Sequence, residues 1–179
     1  MHARSTTIKA DPDNLDAGIA FTRDEVMPAI QQIDGCIDLS MLTDRGSGRC
    51  IVTTSWADAD AMRAAMRAAT ENVHPIRLMQ VLGAQFLDIQ EWETAVLHRE
   101  RPAGDGAGAQ VTWACIAPNR LNELLDAYRN NLMPRLQELT GFDSLSMLVD
   151  RRTGRTVSVT AFETRDALAL VRKQAKHGA

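Results

Sequence analysis

Two side chains in this sequence, His74 and Asp38, are candidates for proton-transfer chemistry. An imidazole titrates near neutral pH and can act as a general base. Asp38 lies in the middle of a predicted strand, where loss of solvent would raise the pKa of its carboxyl and make it a base as well. Both residues also have structural interpretations. His74 precedes Pro75 and suits a surface loop, and Asp38 suits the solvated side of a strand.

Two tryptophans are candidates for the walls of a ligand site. Trp56 and Trp113 could bind and orient a flat aromatic molecule, because their rings offer a large contact area. Packing is the alternative for both, and for Trp56 it is favoured by Phe162, which occupies the matching place later in the chain. Ser40 and Ser146, on matching predicted strands, are further candidate ligand contacts.

The composition of the 179-residue chain excludes several other classes of protein. The net charge is -3 and there is no basic stripe, so we expect no nucleic-acid partner. No apolar run is long enough to span a bilayer, and the N-terminus lacks the apolar core of a signal peptide, so we expect no membrane association and a cytoplasmic location. The three cysteines have no zinc-binding spacing, and we expect no metal.

A repeat organises these residues. When the sequence is shifted by 106 positions, 19 of the 62 residues from Ser5 to Met66 match their partners without a gap. The matches include Met27-Pro28 with Met133-Pro134, Gly35 with Gly141, Leu39-Ser40-Met41-Leu42 with Leu145-Ser146-Met147-Leu148, and Gly48-Arg49 with Gly154-Arg155. A period this long predicts two complete small domains rather than a solenoid.

Each copy has the pattern β-α-β-β-α, and the first copy adds a final strand. Apolar residues at steps of three, four and seven predict a long helix over 14–33 and again over 120–139, each closed by a glycine. Two strands joined by a short turn follow, with a possible contact between Asp44 and Arg49 across the first turn. The final strand is predicted over 85–97, and the second copy lacks it.

The domain boundaries follow from the same pattern. The first repeat spans 1–99, a Gly/Pro-rich linker spans 100–108, and the second repeat spans 109–179. The order β-α-β-β-α-β is that of the ferredoxin-like fold. The fold class is therefore α+β.

The segment from Gly35 to Trp56 and the Ala/Asp-rich helix after it resemble the antibiotic biosynthesis monooxygenase-like domain. A glycine follows a helix, one strand ends in Ser40-Met41-Leu42-x-Asp44, and the next ends in Trp56; the second copy repeats this with Phe162. The resemblance implies a dimeric α+β barrel, here an intramolecular pseudo-dimer of two tandem repeats. We expect a monomer of this kind or a homodimer.

The resemblance implies three possible functions. The first is a cofactor-independent monooxygenase that binds a small aromatic or quinol-type ligand between two sheets, with Asp38 or His74 as the base. The second is a non-catalytic binding or interaction module with the same cavity. The third is a haem-binding or haem-degrading protein with His74 as the iron ligand, although Ile8 and Lys9 occupy the stretch where the haem branch carries an asparagine.

Overall fold

Alternating strands and amphipathic helices build two units of the same design. The computed structural model describes residues 1–69, 73–101, 104 and 106–177, and the chain divides into the units Met1–Trp92 and Glu93–Ala179. The predicted α+β class with ferredoxin-like repeats is confirmed. The division falls inside a strand. The predicted linker over 100–108 lies partly outside the described residues, so the predicted domain boundaries stay a prediction.

The first unit has its strands in the order β2-β3-β1-β4. They are β1 (His2–Lys9), β2 (Cys36–Asp44), β3 (Arg49–Trp56) and β4 (Gln85–Arg99). Strand β1 pairs antiparallel with β3 along its whole length, from His2 opposite Trp56 to Lys9 opposite Arg49. This pairing explains why β1 begins four residues before the predicted start at Thr6.

The predicted long helix of the first unit has a wide turn in its middle. It consists of α1 (Leu15–Phe21), a π-helical turn over Thr22–Val26 and α2 (Met27–Gln31). The N–H of Met27 bonds to the carbonyl of Thr22, five residues back. Pro28 follows at the start of α2, where its missing N–H costs no helical hydrogen bond.

Two further helices complete the first unit: α3 (Ala59–Ala69) and α4 (His74–Val81). The sequence pattern predicts α3 but not α4. Helix α4 has Pro75 in its first turn, and Gly83 follows its end with a positive φ of 56°. This is the usual arrangement of proline at the start of a helix and glycine after its end.

The second unit repeats the design with the strand order β4-β6-β7-β5. Its elements are β5 (Gly108–Cys115), α5 (Leu121–Ala127), a π-helical turn (Tyr128–Leu132), α6 (Met133–Gln137), β6 (Phe142–Asp150), β7 (Arg155–Phe162) and α7 (Arg165–His177). The C-terminal part of β4, from Glu93 to Arg99, pairs with β6. Within the described residues, α7 is the last element.

The turn between the second and third strands has the same hydrogen bonds in both units, from Ser47 to Asp44 and from Thr153 to Asp150. Gly48 has a φ of 72°, and a side chain there would collide with the carbonyl oxygen of Ala10, so only glycine fits. Asp44 and Arg49 lie opposite each other across the turn, as predicted, and the Asp44 carboxylate accepts hydrogen bonds from the Ser47 hydroxyl at 2.6 Å and from the Gly46 N–H at 3.0 Å. These bonds close the turn locally, as is typical of an aspartate in a turn.

None of the helices in the described part of the chain is long and apolar enough to cross a membrane.

Candidate functional site

A cavity of about 400 Å³ lies inside the first unit, between its sheet and its helices. This is the size range of small-molecule sites. Most of its lining is apolar, including Ile8, Leu39, Val52, Leu78, Met79 and Phe86. The cavity is on the helix-covered face of the sheet. The ligand site between two sheets that the sequence suggested stays a prediction.

The sheet supplies the floor of the cavity through alternating positions. Arg4, Thr6 and Ile8 of β1 face it, as do the alternate residues of β3 that end in Trp56. Trp56 is buried, and its Nε1–H donates to the Thr54 hydroxyl at 2.9 Å. Because its polar atom is satisfied by the protein, the indole presents an apolar surface.

Helix α4 supplies one wall, with His74, Pro75, Leu78 and Met79. It is held by Leu82, which is fully buried and packs against Gly18 of α1. A Cβ atom at position 18 would lie 2.0 Å from Cδ2 of Leu82, so the glycine provides the space for this contact. The spacing of Leu78 and Leu82, one turn apart after Pro75, is the signal that could have revealed this helix.

His74 is half-buried at the first residue of α4, where it lines the cavity. Its ring lies 6.5 Å from the ring of Phe21, at a tilt of 42°. Arg77, one turn further along, places its guanidinium 5.4 Å from the centre of the same phenyl ring. These contacts fix the start of α4 beside α1 and orient the imidazole. His74 is thus part of a cavity wall rather than of a surface loop.

Arg4 is a lining residue that the sequence reasoning missed. It is a partly buried cation among mainly apolar neighbours, and it contacts the thioether of Met66. Burial lowers the pKa of the Arg4 guanidinium, and the charge of Glu91 acts in the opposite direction. The sequence pattern could have revealed Arg4, because residues 4, 6 and 8 alternate along β1 and share the face that the helices cover.

The other predicted site residues lie elsewhere. Leu39 faces the cavity, so Asp38 and Ser40 point to the opposite face of β2. Trp113 is 45% exposed on β5, and Ser146 is half-buried on β6. The structure therefore brings together His74 and Trp56 of the six candidates. Roles for the remaining four stay predictions that do not involve this cavity.

The second unit has larger residues than the first at two positions of the long helix, with Leu124 in place of Gly18 and Tyr128 in place of Thr22. Tyr128 replaces Thr22, and its hydroxyl lies 3.4 Å from that of Ser158, the counterpart of Val52. Phe162 replaces Trp56 and packs edge-on against Phe142, with ring centres 6.0 Å apart. These contacts join the long helix to β7 and β6 to β7 in the second unit.

Solved structures share this fold over nearly the whole chain. A "putative monooxygenase" from Lactobacillus acidophilus superposes with a TM-score of 0.72 at 8% identity, covering 94% of this chain and 80% of its own. A ferredoxin-fold protein related to antibiotic biosynthesis monooxygenases, from Listeria monocytogenes, gives a TM-score of 0.54 at 8% identity, covering 97% of this chain and 79% of its own. At such low identity these matches show the fold alone, which is ferredoxin-like.

Among proteins similar in sequence, the uncharacterized protein Rv2558 of Mycobacterium tuberculosis is 44% identical over 177 residues, which is 98% of this chain and 73% of the relative. The chain belongs to the family of this mycobacterial protein. No family model matches the sequence.

Proposed function

We propose that the cavity of the first unit binds a small aromatic molecule of the phenol or quinol type, and that the protein oxidises it as a cofactor-independent monooxygenase. The observation that carries this proposal is the lining: a cavity of about 400 Å³ with mainly apolar walls and an imidazole in one of them. Apolar walls favour a flat ring, and a few polar groups orient it.

His74 is the base in this proposal. It accepts the phenolic proton, and the electron-rich anion that results transfers its electrons to oxygen. One oxygen atom becomes the new quinone carbonyl. The other leaves as water with two hydrogens, the phenolic one and the one from the oxidised ring carbon. The substrate supplies all the electrons, so the protein contributes binding, proton transfer and exclusion of water.

Trp56 forms a wall for the ring in this scheme. Its indole nitrogen is already bonded to Thr54, so its contribution is contact area rather than a hydrogen bond to the ligand. Asp38 has no part in the scheme, because it points away from the cavity. This difference between the two predicted bases makes the proposal testable.

The experiment has two assays. A titration with 2-naphthol measures binding through the change in tryptophan fluorescence, and an oxygen electrode measures oxygen uptake with a panel of naphthols and hydroquinones. We expect saturable binding, and in His74→Gln a fall in turnover of about 100-fold or more, the usual contribution of a general base. Asp38→Asn is the matched control and should keep its turnover. Equal turnover in wild type and His74→Gln would remove the base assignment.

Two alternative functions give other outcomes in the same assays. Saturable binding with no oxygen uptake above the uncatalysed rate would indicate a non-catalytic binding module. Haem binding through His74 predicts a Soret band on titration with haem that His74→Ala abolishes. An imidazole in an apolar wall is the donor that such a group needs, and it would hold the iron.

A further inference from the structure

The residue at position 4 and its counterpart in the second unit differ in charge, and this difference bears on the charge of the ligand. The position equivalent to Arg4 is Gln110, and the position equivalent to Met66 is Arg172. In the second unit the exposed Arg172 donates to the Gln110 amide oxygen at 2.8 Å. In the first unit the guanidinium belongs to the strand residue, lines the cavity and contacts the Met66 thioether.

Each pair of residues thus contains one guanidinium, on the helix in the second unit and on the strand in the first. On the helix, Arg172 reaches solvent and has an amide oxygen as acceptor. On the strand, Arg4 has a thioether, which is a weak acceptor. In the described part of the chain no carboxylate makes a salt bridge with Arg4, and the charge of Glu91 acts on it from a greater distance.

A partly buried guanidinium in this setting is costly without an anionic partner. Charged groups removed from water destabilise a protein unless they are paired and hydrogen-bonded. Burial already lowers the pKa of Arg4, which is a sign of that cost. The planar guanidinium offers five donors in a fork that matches two oxygens of a carboxylate.

Resting on the function proposed above, we infer that the ligand is an aromatic anion and that Arg4 binds its charged oxygen group. A carboxylate attached to the ring fits the fork with two parallel hydrogen bonds, and an ionised phenol oxygen fits it with fewer. The low polarity of the surrounding walls strengthens the attraction relative to water. Arg4 is therefore a specificity-determining residue, distinct from His74, which acts on the proton.

The experiment compares three probes that share one ring system: 2-naphthoate, its neutral amide 2-naphthamide, and 2-naphthol. We expect the wild type to bind naphthoate about tenfold or more tightly than naphthamide, as for a hydrogen bond to a charged group. Arg4→Gln, which installs the residue of the second unit, should remove this preference and leave the affinity for naphthamide within about twofold. Arg4→Lys should retain part of it, because the charge remains without the fork.

Arg172→Gln is the matched control. It removes the same charge from the corresponding pair in the second unit, so general electrostatic effects would appear in both variants.

Equal affinity of the wild type for naphthoate and naphthamide would overturn the role of Arg4 while leaving the aromatic site intact. Failure of all three probes to bind would overturn the aromatic site itself. The affinity for 2-naphthol is also measured above and below the pKa of its hydroxyl. If the wild type prefers 2-naphthol to naphthoate and Arg4→Gln reduces that preference, Arg4 binds an ionised phenol oxygen rather than a carboxylate.

Discussion

The two units share their strands, their turns and their long helix with its π-helical turn, but the interiors differ. In the first unit Trp56 lines a cavity that α4 covers on one side, Gly18 makes room for Leu82, and Thr22 is buried on the same long helix. In the second unit the same three positions are Leu124, Tyr128 and Phe162. The difference teaches that the repeat preserves backbone geometry, while the side chains that face the interior of each unit differ in size and polarity.

The largest effect is expected from Gly18→Leu, which installs the residue of the second unit. Leu82 occupies the space beside Gly18 and is fully buried, so the new side chain would force α4 away from α1. Overpacking of this kind costs about 1–3 kcal/mol of stability. Urea unfolding measures the loss, and the fluorescence titration should show that ligand binding is lost as well.

The control for Gly18→Leu is Leu170→Ala, which truncates an exposed leucine of the second unit. It should unfold at nearly the same urea concentration as the wild type. If Gly18→Leu were as stable as this control and still bound naphthol, the attachment of α4 through Leu82 would be unimportant for the cavity.

A smaller effect on stability, but a large one on binding, is expected from Thr22→Tyr. In the second unit the hydroxyl of Tyr128 reaches Ser158, and the equivalent of Ser158 is the lining residue Val52. A tyrosine at position 22 would therefore place its ring in the cavity. We expect affinity for 2-naphthol to fall about tenfold or more, since the ring and the ligand compete for one volume.

The reciprocal change, Tyr128→Thr, opens the second unit and should lower its stability through the space left behind. Binding of 2-naphthol in the first unit should be retained in this variant. If Thr22→Tyr bound 2-naphthol as tightly as the wild type, the ligand would not bind in this cavity.

The smallest effect is expected at the turns, where the units agree. The hydroxyl of Ser47 holds the pKa of the Asp44 carboxyl below its ordinary value, and that of Thr153 does the same for Asp150. A lowered pKa in the folded state stabilises the fold above the ordinary aspartate pKa of about 3.9, and this stability is lost as the pH falls through the folded value.

Asp44→Asn and Asp150→Asn should each reduce the loss of stability between about pH 5 and pH 2, and by similar amounts. Chemical unfolding at a series of pH values measures this. A pH dependence unchanged in both variants would show that these hydrogen bonds do not contribute to acid stability, and unequal changes would show that the two turns are not equivalent.

The sequence predicted part of the candidate site. His74 and Trp56 were singled out by residue type, and both line the cavity. The sequence did not show whether Asp38 and Ser40 or Leu39 and Met41 face the cavity. Alternation defines the two faces of a strand, but it does not say which face the helices cover. Arg4 was missed because the predicted first strand begins at Thr6, whereas β1 begins at His2.

The sequence by itself determined the repeat, the order of the elements and the two glycine-dependent turns, because these depend on local conformation and on spacing along the chain. The tertiary structure alone decided that α4 packs on α1, that the helix-covered face holds the cavity, and that Arg4 lies in the cavity lining. The physical reason is that each of these depends on a contact between residues far apart in the chain, such as Leu82 with Gly18, which no local pattern specifies.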